Sequence, residues 1–180
     1  MDRVSDKLKI EVIKAPDLTP EKRETFIALC NRAYEDDLAP LFEVYPDPTH
    51  VIGYLDGAMI SHAMLVTRWL QNGAGPLLRT AYVEMVATDP QLQGQGFASE
   101  IMQRVGNEIT GYELGALWPN YPDWYARFGW VTWRGPLFIR TAEGLLPTPD
   151  EHVMVLTTPN NPPLDLDGPL SAEWREGELW

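Results

Sequence analysis

Residues 82–98 read Tyr82-Val-Glu-Met-Val-Ala-Thr-Asp-Pro-Gln-Leu-Gln-Gly-Gln-Gly-Phe-Ala98, and the order of residue types here organises the rest of the chain. An apolar run ends at Asp89-Pro90, a pair that stops a strand and opens a turn. Gln91-x-x-Gly94-x-Gly96 follows. From Gly96 onward Phe97, Ile101, Met102, Val105 and Ile109 recur at helical spacing. The unit is therefore strand, glycine loop, helix. The first turn of such a helix carries N–H groups with no acceptor inside the helix, and the helix dipole adds positive partial charge at the same place. Glycines let a ligand reach the backbone where a β-carbon would obstruct it. The chemistry favoured is pyrophosphate binding. The loop lacks the Gly-x-Gly-x-x-Gly of dinucleotide sites and the Gly-Lys-Ser/Thr of phosphate loops. It also lacks Lys and Arg, so an anion would be held by short-range N–H contacts and not by side-chain charge.

Outward from this unit, Leu77–Thr88 is a strand entered through an Asn72-Gly73 turn, and Met59–Trp69 and His50–Leu55 are joined by Asp56-Gly57, a strong hairpin signal. Lys9–Lys14 reads as a first strand. Thr19 and Pro20 fit the N-cap and first position of a helix, whose Phe26, Ile27, Cys30, Ala33 and Tyr34 mark a buried face. The stretch from Glu35 to Pro48 is a loop or broken helix. Downstream, Glu113–Trp118 is a strand and Tyr121–Phe128 a short helix with Gly129 as its C-cap. Trp130–Trp133, Leu137–Arg140 and Val153–Thr157 supply late strands. Thr158–Gly168 is extended, and Ser171–Trp180 either docks or dangles. The expected architecture is a single α/β (α+β) domain over residues 1–180, built on a mixed, mostly antiparallel central sheet flanked by helices.

The chain has 180 residues and a net charge of −12, which disfavours a nucleic-acid footprint and docking on anionic lipid. The charge is concentrated. Tyr34–Asp56 holds six acids and no base, Glu143–Trp180 holds eight acids and one base, and the remainder sums to +1. Such runs are commonly solvated faces, and they also suit a cationic ligand. Cys30 is the single cysteine, and His50, His62 and His152 show no ligand spacing, so neither a disulfide nor a metal site is expected. Without a signal-peptide core or a membrane-length apolar run, a cytoplasmic location is expected.

The motif Gln/Arg-x-x-Gly-x-Gly/Ala between strand and helix resembles the acyl-CoA loop of the GCN5-related N-acetyltransferase (GNAT) superfamily. The resemblance implies the GNAT fold, with an acyl-CoA cleft at splayed central strands. It implies acetyl-CoA as cosubstrate, with Met85, Val86 and Ala87 pairing with the pantetheine arm. Gln91, Leu92, Gln93, Gly94, Gln95, Gly96, Phe97 and Ala98 would cradle the pyrophosphate. Tyr125-Ala-Arg-Phe-Gly129-Trp130 is similar to the family's Tyr-x-x-x-Gly-Phe/Trp element.

Tyr112-Glu-Leu-Gly-Ala-Leu117, Phe128-Gly-Trp-Val-Thr-Trp-Arg-Gly-Pro136, the Thr148-Pro-Asp150 turn and the closing Glu173-Trp-Arg-Glu-Gly-Glu-Leu-Trp180 narrow the resemblance to aminoglycoside 2′-N-acetyltransferases. It runs from about Ile10 to the last residue. Carried over, it makes Glu84 the base that frees the amine through a water and Tyr125 the acid for the departing thiolate. Asp37, Asp150, Glu151 and the terminal carboxylate of Trp180 would meet a polycationic small molecule, and a homodimer is implied. The chain departs from that pattern at Trp118-Pro119-Asn120, where the family has small hydroxyl residues; Trp118 would shape the acceptor site. A second acid after Asp37 is replaced by apolar residues near Leu41–Phe42. Another small amine or a peptide N-terminus as acceptor, or a non-catalytic acyl-CoA sensor, remain as alternatives.

Overall fold

In the computed structural model, which describes residues 8–180, Asp56 and Gly57 adopt φ of +49° and +83°, the left-handed values a tight hairpin turn requires. They join β2 (Thr49–Leu55) to β3 (Ala58–Asn72). By packing, the chain falls into two units. Residues up to Val66 together with Glu84–Asn107 form the first, and Thr67–Val83 with Glu108–Trp180 form the second. Both β3 and β4 (Leu77–Thr88) contribute a segment to each.

In the first unit, β1 (Leu8–Lys14) pairs antiparallel with β2, Leu8 opposite Leu55, and β2 pairs antiparallel with β3. Helix α1 (Pro20–Tyr34) starts as its sequence predicts: Thr19 Oγ1 accepts the N–H of Lys22 at 3.3 Å and Pro20 takes the first position. Its buried stripe is Phe26, Leu29 and Cys30. That i, i+3, i+4 stripe is narrower than the predicted face. Ile27 and Ala33 are half-buried and Tyr34 is exposed, because the helix covers the sheet along one line only. The acidic stretch after Glu35 contains a short helix, α2 (Ala39–Val44), so it is a broken helix. Helix α3 (Phe97–Ile109) buries all five apolar residues that its spacing singled out, with Phe97 in a cluster with Leu8 and Ile60.

In the second unit, β5 (Leu114–Leu117) lies parallel to β4, from Thr80 opposite Leu114 to Val83 opposite Leu117. The strand order is completed by β6 (Val131–Thr132), β7 (Leu137–Thr141), β8 (Gly144–Pro147), β9 (Met154–Thr157) and β10 (Leu170–Glu173), as β6-β9-β5-β4-β3-β10-β7-β8. Strand β10 had no sequence signal. Leu-Ser-Ala-Glu is short and lacks β-branched residues, and it becomes a strand by filling the gap between β3, to which it is antiparallel, and β7, to which it is parallel. Helix α4 (Pro122–Ala126) is shorter than predicted. Gly129, at φ +87°, sits three residues beyond its end and turns the chain there without being the C-cap itself. Gly135 is needed for space: a β-carbon there would fall 1.9 Å from the Gly168 carbonyl oxygen. Among the described residues no helix is long and apolar enough to cross a membrane.

Candidate active site

The first unit carries the strand–loop–helix segment from Glu84 onward. Glu84 is half-buried, and its chain neighbours Val83 and Met85 are buried. Met85 has φ +52° in mid-strand. A left-handed residue inside a strand takes its peptide out of the ladder, as a bulge does. From Met85 to Thr88 each β4 carbonyl accepts a hydrogen bond from a side chain. The Met85 carbonyl accepts from His62 Nδ1 at 3.0 Å and that of Val86 from Tyr34 Oη at 3.0 Å. The Ala87 carbonyl accepts from Ser61 Oγ at 2.9 Å and that of Thr88 from Gln93 Nε2 at 3.2 Å.

Beyond Asp89, whose Oδ1 accepts the Gln91 N–H at 3.1 Å, Pro90–Leu92 make one 3-10 turn. Arg32 pairs with Asp89 at 2.9 Å and holds its carboxyl below the usual range. Gln91, Gln93, Gly94, Gln95 and Gly96 are exposed, Leu92 and Ala98 half-buried, and Phe97 buried. Gly94 and Gly96 have φ of +76° and +94°. A β-carbon at Gly94 would meet nothing, so the demand for glycine there is conformational. The loop thus delivers a bare, glycine-shaped backbone to the N-terminus of a 13-residue helix, which suits an anion. Asp37, in the same unit, is exposed. Its Oδ1 accepts the Ala39 N–H at 3.2 Å and so closes the entry to α2.

The second unit holds the other predicted residues. Tyr125 is buried, its ring 4.8 Å from that of Trp124, and burial pushes its phenol up to about 12. It is therefore protonated at neutral pH, as a proton donor must be. The Trp118 indole is 40% exposed and donates to Glu151 Oε2 at 2.8 Å, which brings two predicted residues together. Asp150 is exposed beside them in sequence. Trp180 is buried, and its Nε1 donates to Thr148 Oγ1 at 2.8 Å, so the tail docks.

Sequence reasoning missed what docks it. Arg68 is 1% exposed and donates to the carbonyls of Leu179 and Glu173, both at 2.7 Å, with its guanidinium 5.1 Å from the Tyr82 ring centre. An arginine inside the apolar run Met64–Leu70 was the available signal, since such a charge is buried only with partners. His62 and Ser61 carried the same kind of signal within Ile60–Val66. Among the described residues no cluster of His, Cys, Asp and Glu could hold a metal.

A protein-family profile described as an acetyltransferase (GNAT) domain matches residues 15–132. An aminoglycoside 2′-N-acetyltransferase of Mycolicibacterium fortuitum is 32% identical over 94% of this chain and 90% of its own. Among solved structures, a GNAT family N-acetyltransferase from Escherichia coli in complex with CoA superposes with a TM-score of 0.66 at 18% identity, covering 94% of this chain and 91% of that one. A GNAT family acetyltransferase from Brucella melitensis in complex with acetyl-CoA superposes with a TM-score of 0.56 at 12% identity, covering 87% and 92%.

Proposed function

Because this chain belongs to the GNAT acetyltransferase family, we propose that it moves the acetyl group of acetyl-CoA directly onto an amine of an aminoglycoside or a similar polycationic small molecule. The observation that carries the reading is the run from Glu84 to Ala98. A carboxylate is followed by a bulged strand edge and then by a loop whose Gly94 and Gly96 are left-handed at the start of α3. Gln91–Ala98 would bind the pyrophosphate through backbone N–H groups, and Met85, Val86 and Ala87 would line the pantetheine arm.

An amine is an ammonium at neutral pH and attacks only after losing a proton, which Glu84 takes through a water. The amine nitrogen then bonds to the thioester carbonyl carbon, and the carbon–sulfur bond breaks. A backbone N–H at the Met85 bulge holds the carbonyl oxygen as charge builds on it. Tyr125 gives its phenolic proton to the departing sulfur, and the nitrogen, which still carries two protons after the attack, returns one to the tyrosinate, leaving a neutral amide and a restored phenol. Cys30 takes no part: burial pushes its thiol up to about 12, so it offers no thiolate for a relay.

Asp37 in the first unit, and Asp150, Glu151 and the terminal carboxylate of Trp180 in the second, are the acids proposed for contact with a cationic acceptor. The likeness to the mycobacterial enzyme supports an aminoglycoside. The indole of Trp118, bonded to Glu151, favours a second reading in which the acceptor is a smaller amine, because it occupies one carboxylate oxygen and adds bulk. Release of free thiol from acetyl-CoA, followed over a panel of aminoglycosides and simple polyamines, separates the two. Turnover of aminoglycosides supports the first. Silence with every aminoglycoside, alongside turnover of a plain polyamine, supports the second.

A further inference from the structure

The first unit contains a buried polar cluster that the proposed chemistry leaves unused. His62 is 0% exposed and His50 1%. They sit on β3 and β2 as diagonal neighbours, since Ile52 is opposite His62 and His50 opposite Met64. Phe26 stacks on His62 with ring centres 4.8 Å apart and planes 8° from parallel, and lies 4.5 Å from the ring of His50.

The protons in this cluster can be assigned from its bonds. His62 Nδ1 faces the Met85 carbonyl oxygen at 3.0 Å, and a carbonyl only accepts, so Nδ1 carries the hydrogen. Burial drives the ring towards its neutral form, which leaves Nε2 bare. That bare nitrogen lies 3.0 Å from His50 Nδ1, which must therefore be the donor. The bare Nε2 of His50 is buried without a partner. Cys30 Sγ, 3.6 Å from His62 Nδ1, can only be a weak second acceptor.

Each feature runs against what a filler of core volume would look like. Leucine or phenylalanine would fill the space without desolvating four ring nitrogens. The chain of donors has one destination, the carbonyl of the one described non-glycine residue that is left-handed inside a strand. We propose that His62, oriented by His50 and by the Phe26 stack, is a positioning residue that holds the Met85 carbonyl and thereby fixes the bulge of β4 in the geometry needed for acetyl transfer. This rests on the acyl-CoA reading of β4 given above. His62 touches neither reactant; it acts through the backbone.

The test compares His62→Leu, which removes the donor, with His62→Asn, whose side-chain amide nitrogen occupies the place of Nδ1. His50→Phe serves as a milder variant that keeps the ring volume. Amide hydrogen exchange over residues 82–90 is measured by mass spectrometry, and kcat and the KM for acetyl-CoA by thiol release. His62→Leu speeds exchange there by about tenfold or more and lowers kcat by about 10- to 100-fold, while KM stays within about threefold. His50→Phe gives a smaller change in the same direction. His62→Asn returns both readouts to within a few-fold of the parent.

Unchanged exchange in His62→Leu overturns the proposal, as does faster exchange with an undiminished kcat. Should His62→Leu not fold, His62→Asn and His50→Phe decide. Loss of kcat in His62→Asn equal to or greater than that in His50→Phe overturns the proposal, because the hydrogen bond would then not be what matters. Should the parent protein turn over no amine, the proposed function fails, and exchange alone decides whether His62 holds the bulge.

Discussion

The proposed roles of Glu84 and Tyr125 are separable by kinetics. Glu84→Gln keeps size and hydrogen bonding but cannot take a proton. Its kcat is expected to fall by about 10²- to 10³-fold, with acetyl-CoA binding by calorimetry within about threefold of the parent. A sensor protein would be indifferent to this change. Tyr125→Phe removes only the acid, and the sulfur leaves tolerably as a thiolate, so its expected loss in kcat is nearer tenfold. Arg68→Ala leaves the Leu179 and Glu173 carbonyls without their donor, at a cost of about 2–4 kcal/mol in urea unfolding. Protease cleavage after Glu173 accelerates with it. The residues the sequence puts forward as candidates are those whose type announces chemistry beside a motif. His62 and Arg68 are not among them, because a lone polar residue in an apolar run states that a partner exists but not which one.

At the scale of elements, glycines are the sharpest probes. Gly135→Ala would set a methyl group 1.9 Å from a carbonyl oxygen and must push two backbone segments apart. The loss of stability expected is about 3 kcal/mol or more, read by thermal or urea unfolding. Gly94→Ala meets no obstacle and suffers only the left-handed backbone, so stability falls by about 1 kcal/mol while the acetyl-CoA KM rises several-fold. Helix α3 and strands β2 to β5 were legible because each carries its own period and its own turn residues. β8 and β10 were not. β8 is exposed along its whole length and has no inward face to write a pattern, and β10 owes its conformation to the two edges it joins.

For the whole molecule, charge and acid behaviour supply the test. Burial lowers His50 to about 4, helped by the nearby Arg23 charge, and lowers His62 to about 3, with His50 adding to the effect. Above pH 6.5 both are neutral, folded or unfolded, and their contribution is fully present. As pH falls below 6.5 the unfolded chain binds two protons that the folded protein refuses, so stability declines until about pH 4 for His50 and pH 3 for His62. Between pH 6.5 and 5 the slope approaches ~1.4 kcal/mol per pH unit for each histidine. Below that window the carboxylates of Glu11 and Asp89, held low by Lys22 and Arg32, steepen the decline. Urea unfolding at pH 7, 6 and 5 checks this, and the double variant His50→Phe, His62→Asn should be markedly flatter. The net charge of −12 was readable at once, and its concentration in two segments pointed to a cation as acceptor. Which cation was not readable, because Trp118 would reshape the proposed acceptor site in a way its residue type alone does not define. Acetyl transfer to an amine is read by incubating the protein with acetyl-CoA and the amine panel. Free thiol and acetylated amine are then quantified together. The account predicts one thiol released per acetylated amine, and acetyl-CoA binding without thiol release for any amine would contradict it.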